Sequence, residues 1–332
     1  MSDTAVVWVA LGTPDAPTPK AVRPYLREFL TDPRIIEMNP VAWRIILECF
    51  ILPFRPRASA EKYASIWTEK GSPLLVHTQD QVAALAEALE DLDVEVAFAM
   101  RYGQPSVASV LDSLRDRGVR KVLVVPAYGQ YSSTTVGSVY DAVAAYMLDS
   151  RDQLELRFVR SYPDHPVYIE SLAQTIEATW EVEGRPDFAA GDKLILSYHG
   201  IPVSMVEAGD PYPEECLATT LALRTRLDLD ENACQMTYQS KFGPAAWVTP
   251  ATVDTVADLG RQGVRRVDVA CPAFTADCLE TLEEIDGENR EAYMDAIDHK
   301  GRFVCIPCVN SNPVFIDALA DIVRTNLAGW ID

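Results

Sequence analysis

One histidine and a row of glutamates have types and spacing that could do chemistry. His199 stands in the stretch Lys193–Pro202, KLILSYHGIP, shortly after a short apolar run stops. An imidazole titrates near neutral pH and can accept a proton or ligate a metal. Further along, Cys271–Glu288 reads CPAFTADCLETLEEIDGE, with Glu280, Glu284 and Glu288 at i, i+4 and i+8. On an α-helix such a row drifts by about 40° per step and still forms one stripe. A π-bulge would bring it closer to alignment. Carboxylates facing an imidazole suit a hard metal ion with a base beside it. Two plainer readings compete: a histidine hydrogen-bonded at a strand end, and a solvated acidic face, since Glu283 is acidic too.

Positioning these groups requires strands that end at a common edge. Leu194–Leu196 is too short for a helix and fits a buried parallel strand. In open α/β sheets, ligands bind beyond the carboxyl ends of the strands. Strand signals recur at Ala5–Leu11, Val94–Ala99, Lys121–Val125, Glu155–Val159, Lys193–Leu196, Gln235–Tyr238, Arg266–Ala270 and Phe303–Ile306. Stretches of helical period separate them, including Pro166–Glu183 and Cys278–Ile297. Alternation of this kind predicts an α/β fold with helices on both faces of parallel sheets. The strands fall as four plus four, so two similar Rossmann-like domains are expected, each a four-stranded parallel sheet flanked by helices. The expected boundaries are 1–148 plus 309–332 for the first domain and 149–308 for the second. The duplication is architectural, with no residue-by-residue repeat.

With 332 residues the chain has room for both domains. The 48% hydrophobic and 23% charged fractions are those of a globular protein. A formal net charge of −20 argues against nucleic acid, whose phosphates need a basic footprint. It also disfavours plain electrostatic attraction to anionic lipid. The start, MSDTAVVWVALG, has no basic region or cleavage site and reads as a first strand, not a signal peptide. No segment reaches the roughly 18 apolar residues of a membrane span. Seven cysteines, an odd number, point to a reducing compartment, with the cytoplasm as default.

Three stretches are less ordinary. The first strand ends in Leu11-Gly12-Thr13-Pro14-Asp15, which is not GxGxxG and predicts no dinucleotide site. Asn39–Arg57, NPVAWRIILECFILPFRPR, is too densely apolar for an ordinary surface helix. It reads either as core or as a lip over an apolar ligand that rests on a membrane interface. The hydroxyl-rich loop around Tyr128, PAYGQYSSTTVGS, enters a helix, where its hydroxyls suit capping as well as ligand contact.

SYHGIP, YQSKFG, CPAFTADCLETLEE, LREFLTDPR, GSPLL and MRYGQPS stand in an order and spacing that resembles ferrochelatase, the enzyme that inserts ferrous iron into a porphyrin. The resemblance runs from about Val7 to Ile322. It implies a chelatase-type fold and a lyase of haem biosynthesis that makes protohaem from protoporphyrin IX and Fe²⁺. The iron is a substrate, and no organic cofactor is expected. His199 and Glu280 would be catalytic. His199, Glu280, Glu284 and Glu288 would contact metal. Leu11, Tyr128, Trp247 and Phe274 would touch the macrocycle, and Asp277 would cap the helix or orient its neighbours. An apolar Leu11 marks the protoporphyrin-using branch, where coproporphyrin users typically have tyrosine. Gly129 departs from the family's common proline.

The resemblance favours the lip reading of Asn39–Arg57, which makes peripheral contact with the inner face of the membrane an option. Cys271-x6-Cys278 and Cys305-x2-Cys308 could hold an iron–sulfur cluster, as some family members do. Cysteines matching Cys271, Cys278 and Cys308 also occur in members without one. Cluster members usually add cysteines in a C-terminal extension, and none follow here. A [2Fe–2S] cluster is therefore not expected. The competing functions are a related chelatase for another tetrapyrrole, such as coproporphyrin III, and a non-catalytic porphyrin or haem carrier. A carrier has no use for a base facing a carboxylate row.

Overall fold

The structure, a computed structural model, describes residues 2–331. It divides into two compact units, Met1–Ser161 with Leu319–Asp332, and Tyr162–Ala318. The first contains β1 (Thr4–Gly12), β2 (Glu95–Tyr102), β3 (Lys121–Pro126) and β4 (Glu155–Phe158) in the order β2-β1-β3-β4, all parallel. The second contains β5 (Lys193–His199), β6 (Cys234–Gln239), β7 (Arg266–Ala270) and β8 (Arg302–Cys305) in the order β6-β5-β7-β8, again all parallel.

Helices cover both faces, so the central strands are apolar runs rather than alternating patterns. Val7, Val9, Val122 and Val124 pack against Leu111 and Val139 in the first core. Ile195, Val267 and Val269 pack with Ile285, Tyr293 and Phe303 in the second.

Four details depart from the sequence-based expectation. The first unit runs to Ser161 rather than 148, because Glu155–Phe158 pairs with Lys121–Val124 as the fourth strand of its sheet. The second unit correspondingly extends past 308 to Ala318. β5 continues through Ser197 and Tyr198 to His199, three residues beyond the apolar run. Ser197 is fully buried there because its hydroxyl meets Gln239 and Thr252, each at 2.8 Å. The helix expected over Cys278–Ile297 is a π-helix over Glu280–Asn289 followed by an α-helix over Arg290–Ala296.

The apolar stretch Asn39–Arg57 is not core. It forms an α-helix over Pro40–Ile46 and a π-turn over Leu47–Ile51. Leu47 and Leu52 are buried, but Val41, Ile45, Phe50 and Phe54 are 57% to 73% exposed. Trp43 Nε1 donates to the Leu30 carbonyl at 2.6 Å, and Arg27 pairs with Glu48 at 2.7 Å. A helix over Arg55–Ile66 follows, which the sequence pattern did not reveal. Among the described residues no helix is long and apolar enough to cross a membrane.

Candidate active site

His199 is the last residue of β5, half-buried, and lies opposite Gln239 at the end of β6. Its Nδ1 is 2.7 Å from the carbonyl oxygen of Gly200. A carbonyl can only accept, so Nδ1 carries the proton of the neutral ring and Nε2 keeps its lone pair. The imidazole is therefore fixed in the tautomer of a proton acceptor. Gly200 is required by close packing: a Cβ there would lie 2.9 Å from the Gln239 carbonyl and 3.2 Å from the ring of Trp247. Trp247 is half-buried against this strand end, with its Nε1 on the Phe242 carbonyl at 2.9 Å.

Beyond Gln239 the chain turns at Ser240, whose φ of 65° is left-handed, a conformation uncommon for a side-chain-bearing residue. The turn directs two donors at Glu284: Ser240 N–H to Oε1 at 2.6 Å and Ser240 Oγ to Oε2 at 2.5 Å. Burial nevertheless holds the Glu284 carboxyl above the ordinary carboxylate range, with neighbouring Glu280 pushing the same way. The Ser240 hydrogen bonds oppose that shift without cancelling it, and a proton taken up by His199 would oppose it further. Glu284 thus interacts electrostatically with His199 once that ring is protonated.

Glu280, Glu284 and Glu288 lie in the wide-turned segment. An i→i+5 turn holds more residues than an α turn, so a side chain at i+4 falls slightly short of a full circle instead of overshooting it. The row is wettest at its far end: Glu280 and Glu284 are half-buried and Glu288 is exposed. Asn289 Nδ2 braces the segment by donating to the Glu284 carbonyl at 2.8 Å. At its entry Asp277 accepts from Thr281 Oγ1 at 3.0 Å, Cys308 N–H at 3.2 Å and Asn310 Nδ2 at 2.7 Å. Asp277 thus ties the helix start to the loop after β8.

The ferrochelatase family model matches residues 3–327, nearly the whole chain. The chain belongs to the ferrochelatase family. Solved structures of similar fold include SirB from Bacillus subtilis with Fe³⁺, at 12% identity and a TM-score of 0.55, covering 99% of this chain and 97% of that one. The sirohydrochlorin chelatase SirB from Bacillus subtilis subspecies spizizenii, in complex with cobalt, aligns at 9% identity and 0.54, covering 98% and 95%. DR2241 from Deinococcus radiodurans, a multi-domain protein with similarity to chelatases, aligns at 13% identity and 0.55, covering 98% of this chain and 55% of that one.

The ferrochelatase-family chain carries further residues that the sequence singled out. Phe274 is half-buried and packs against the core of the second unit. Leu11 and Tyr128 are half-buried at the ends of β1 and β3 in the first unit. Ser132 caps the π-turn Ser133–Gly137 through Thr134 N–H at 3.2 Å. Cys271, Cys278 and Cys308 are buried and Cys305 partly so, and burial pushes all four thiols up. Among the described residues no three His, Cys, Asp or Glu side chains are gathered to hold a metal ion. Gln239 and Ser240, which hold Glu284, stand in the YQSKFG motif, but the sequence reading assigned neither of them a role.

Proposed function

We propose that this chain is a protoporphyrin ferrochelatase, a lyase that inserts Fe²⁺ into protoporphyrin IX to form protohaem. The observation that carries the reading is His199, with Nε2 free to accept a proton, beside a Glu284 carboxyl whose proton affinity is raised by burial. Metallation must remove two pyrrole protons and deliver a divalent ion to the ring nitrogens. A neutral imidazole can accept one of the two protons and the carboxylate row the other, and the carboxylate beside His199 favours the imidazolium that results. Glu280 is the second catalytic candidate, and His199, Glu280, Glu284 and Glu288 are the proposed metal contacts. The wet end of the row at Glu288 gives metal or protons an aqueous terminus.

Trp247 supplies an aromatic surface for the macrocycle, and Phe274, Leu11 and Tyr128 are proposed contacts on the strength of the family resemblance. The exposed apolar lip around Val41, Ile45, Phe50 and Phe54 suits a substrate and product that are both poorly soluble. No organic cofactor and no iron–sulfur cluster form part of the proposal.

The test is an anaerobic absorbance assay with Fe²⁺ and, side by side, protoporphyrin IX and coproporphyrin III. Faster haem formation from protoporphyrin IX is expected. A kinetic preference for coproporphyrin places the chain in the other branch, and tight porphyrin binding without metallation makes it a carrier.

A further inference from the structure

Gln239 is a buried amide whose four hydrogen-bonding positions are all engaged. Its Oε1 accepts from Ser197 Oγ at 2.8 Å and from Cys271 Sγ at 3.5 Å. Its Nε2 donates to the Glu280 carbonyl at 2.7 Å and, more loosely, to Glu284 Oε2 at 3.4 Å. The Glu280 carbonyl fixes which way the amide points, because it can only accept and reversing the amide would set Oε1 against it. Ser197 is itself held. Its hydroxyl meets Thr252 Oγ1 at 2.8 Å, and Thr252 Oγ1 meets Thr237 Oγ1 at 2.8 Å. All three hydroxyl residues are fully buried. A continuous buried chain therefore runs from β6 through the helix start at Thr252 and β5 to the first residue of the π-helix. A buried network with every member satisfied is rigid, and losing one member leaves its neighbours unpaired.

We propose that Gln239 is a positioning residue for metal insertion: it pins the first turn of the π-helix to the end of β6 and so fixes Glu280 and Glu284 relative to His199. The inference rests on the ferrochelatase reading of this site. Gln239 touches neither metal nor macrocycle in this account and acts through the Glu280 backbone and the Glu284 carboxylate. Supporting groups of this kind hold a ligand's orientation, and their loss typically costs about 10- to 100-fold in activity or metal affinity.

Gln239→Glu is the sharpest probe, since it keeps the shape and the Oε1 acceptor but replaces the donor with an oxygen facing the Glu280 carbonyl and Glu284. Haem formation from protoporphyrin IX and Fe²⁺ should fall about 10-fold or more. Porphyrin affinity, read by fluorescence quenching, should stay within about 2-fold, because the macrocycle contacts are elsewhere. Ser197→Ala removes one of the groups that orient the amide and should show the same separation at smaller size. A merely structural role would instead lower thermal stability and porphyrin affinity together. Wild-type turnover in a folded Gln239→Glu protein overturns the inference. Should that variant not fold, Ser197→Ala decides by the same two readings. Absence of metallation by the unsubstituted chain would instead overturn the ferrochelatase reading itself.

Discussion

The two units place different chemistry on one scaffold. Their sheets have the same strand order, and the matching extends to details. Gly12 ends β1 opposite Tyr102, and the left-handed Gly103 follows. Gly200 follows β5 and bonds the Gln239 carbonyl at 2.8 Å, and the left-handed Ser240 follows. In each unit the second strand then folds back on itself, Met100 N–H to the Pro105 carbonyl at 2.7 Å and Tyr238 N–H to the Pro250 carbonyl at 2.8 Å. In each, a π-turned segment follows the third strand. By this correspondence Leu11 and His199 occupy the same slot, as do Arg101 and Gln239.

Each unit also holds a carboxylate beneath that edge, with opposite electrostatics. Burial alone would raise Asp32, but hydrogen bonds from Ser138, Arg34 N–H and Tyr102, with the Arg101 charge, take its carboxyl below the usual range. Glu284 has hydroxyl, amide and backbone donors but, among the described residues, no cation at hydrogen-bond distance, and it is raised. A fully neutralised carboxylate stabilises its unit and is spent as a ligand. A buried one left without a cation remains available for protons or metal, at a cost in stability.

Substitutions can break or sharpen that contrast. The largest effect should come from Asp32→Asn, which leaves Arg101 without its buried partner and should lower stability by about 3 kcal/mol, read by denaturant unfolding. The pH dependence checks the same point. The Asp32 contribution is present above the unfolded carboxyl pKa of about 3.9 and is lost as pH falls through the lower folded value. Asp32→Asn should therefore flatten the acid limb of the stability profile.

His199→Ala should come next, cutting haem formation by about 10²-fold, the scale for losing a general base, with porphyrin affinity nearly unchanged. Near wild-type turnover in that variant would return His199 to the standing of Leu11, a strand-end residue without chemistry.

Glu284→Gln should slow turnover by about 10-fold while raising thermal stability at neutral pH. The sign is the reverse of Asp32. A raised carboxyl contributes stability below its unfolded pKa of about 4.3 and loses it as pH rises through the folded value. Loss of stability at pH 7 in this variant would contradict the electrostatic difference between the units. Glu288→Gln, at the exposed end of the row, should have the smallest effect, no more than about 3-fold in turnover and about 0.5 kcal/mol in stability.

Much of this was legible in the chain itself. The alternation of apolar runs with helical period specifies two parallel sheets, because strand and helix periodicities are local properties of side-chain spacing. The order of short motifs marks the family, and the i, i+4, i+8 glutamates mark a carboxylate row. Tertiary structure decided what spacing cannot encode. It ended β5 at His199 rather than Leu196, because Ser197 finds buried partners 42 and 55 residues away. It paired Glu155–Phe158 with β3 and so moved the domain boundary. It placed Asn39–Arg57 at the surface despite its apolar density. Finally, it chose Glu284 as the carboxylate turned to the strand ends, through donors on Ser240 and Gln239 that lie more than 40 residues earlier. Burial and long-range hydrogen bonding set proton affinity, and neither is a property of any window of sequence.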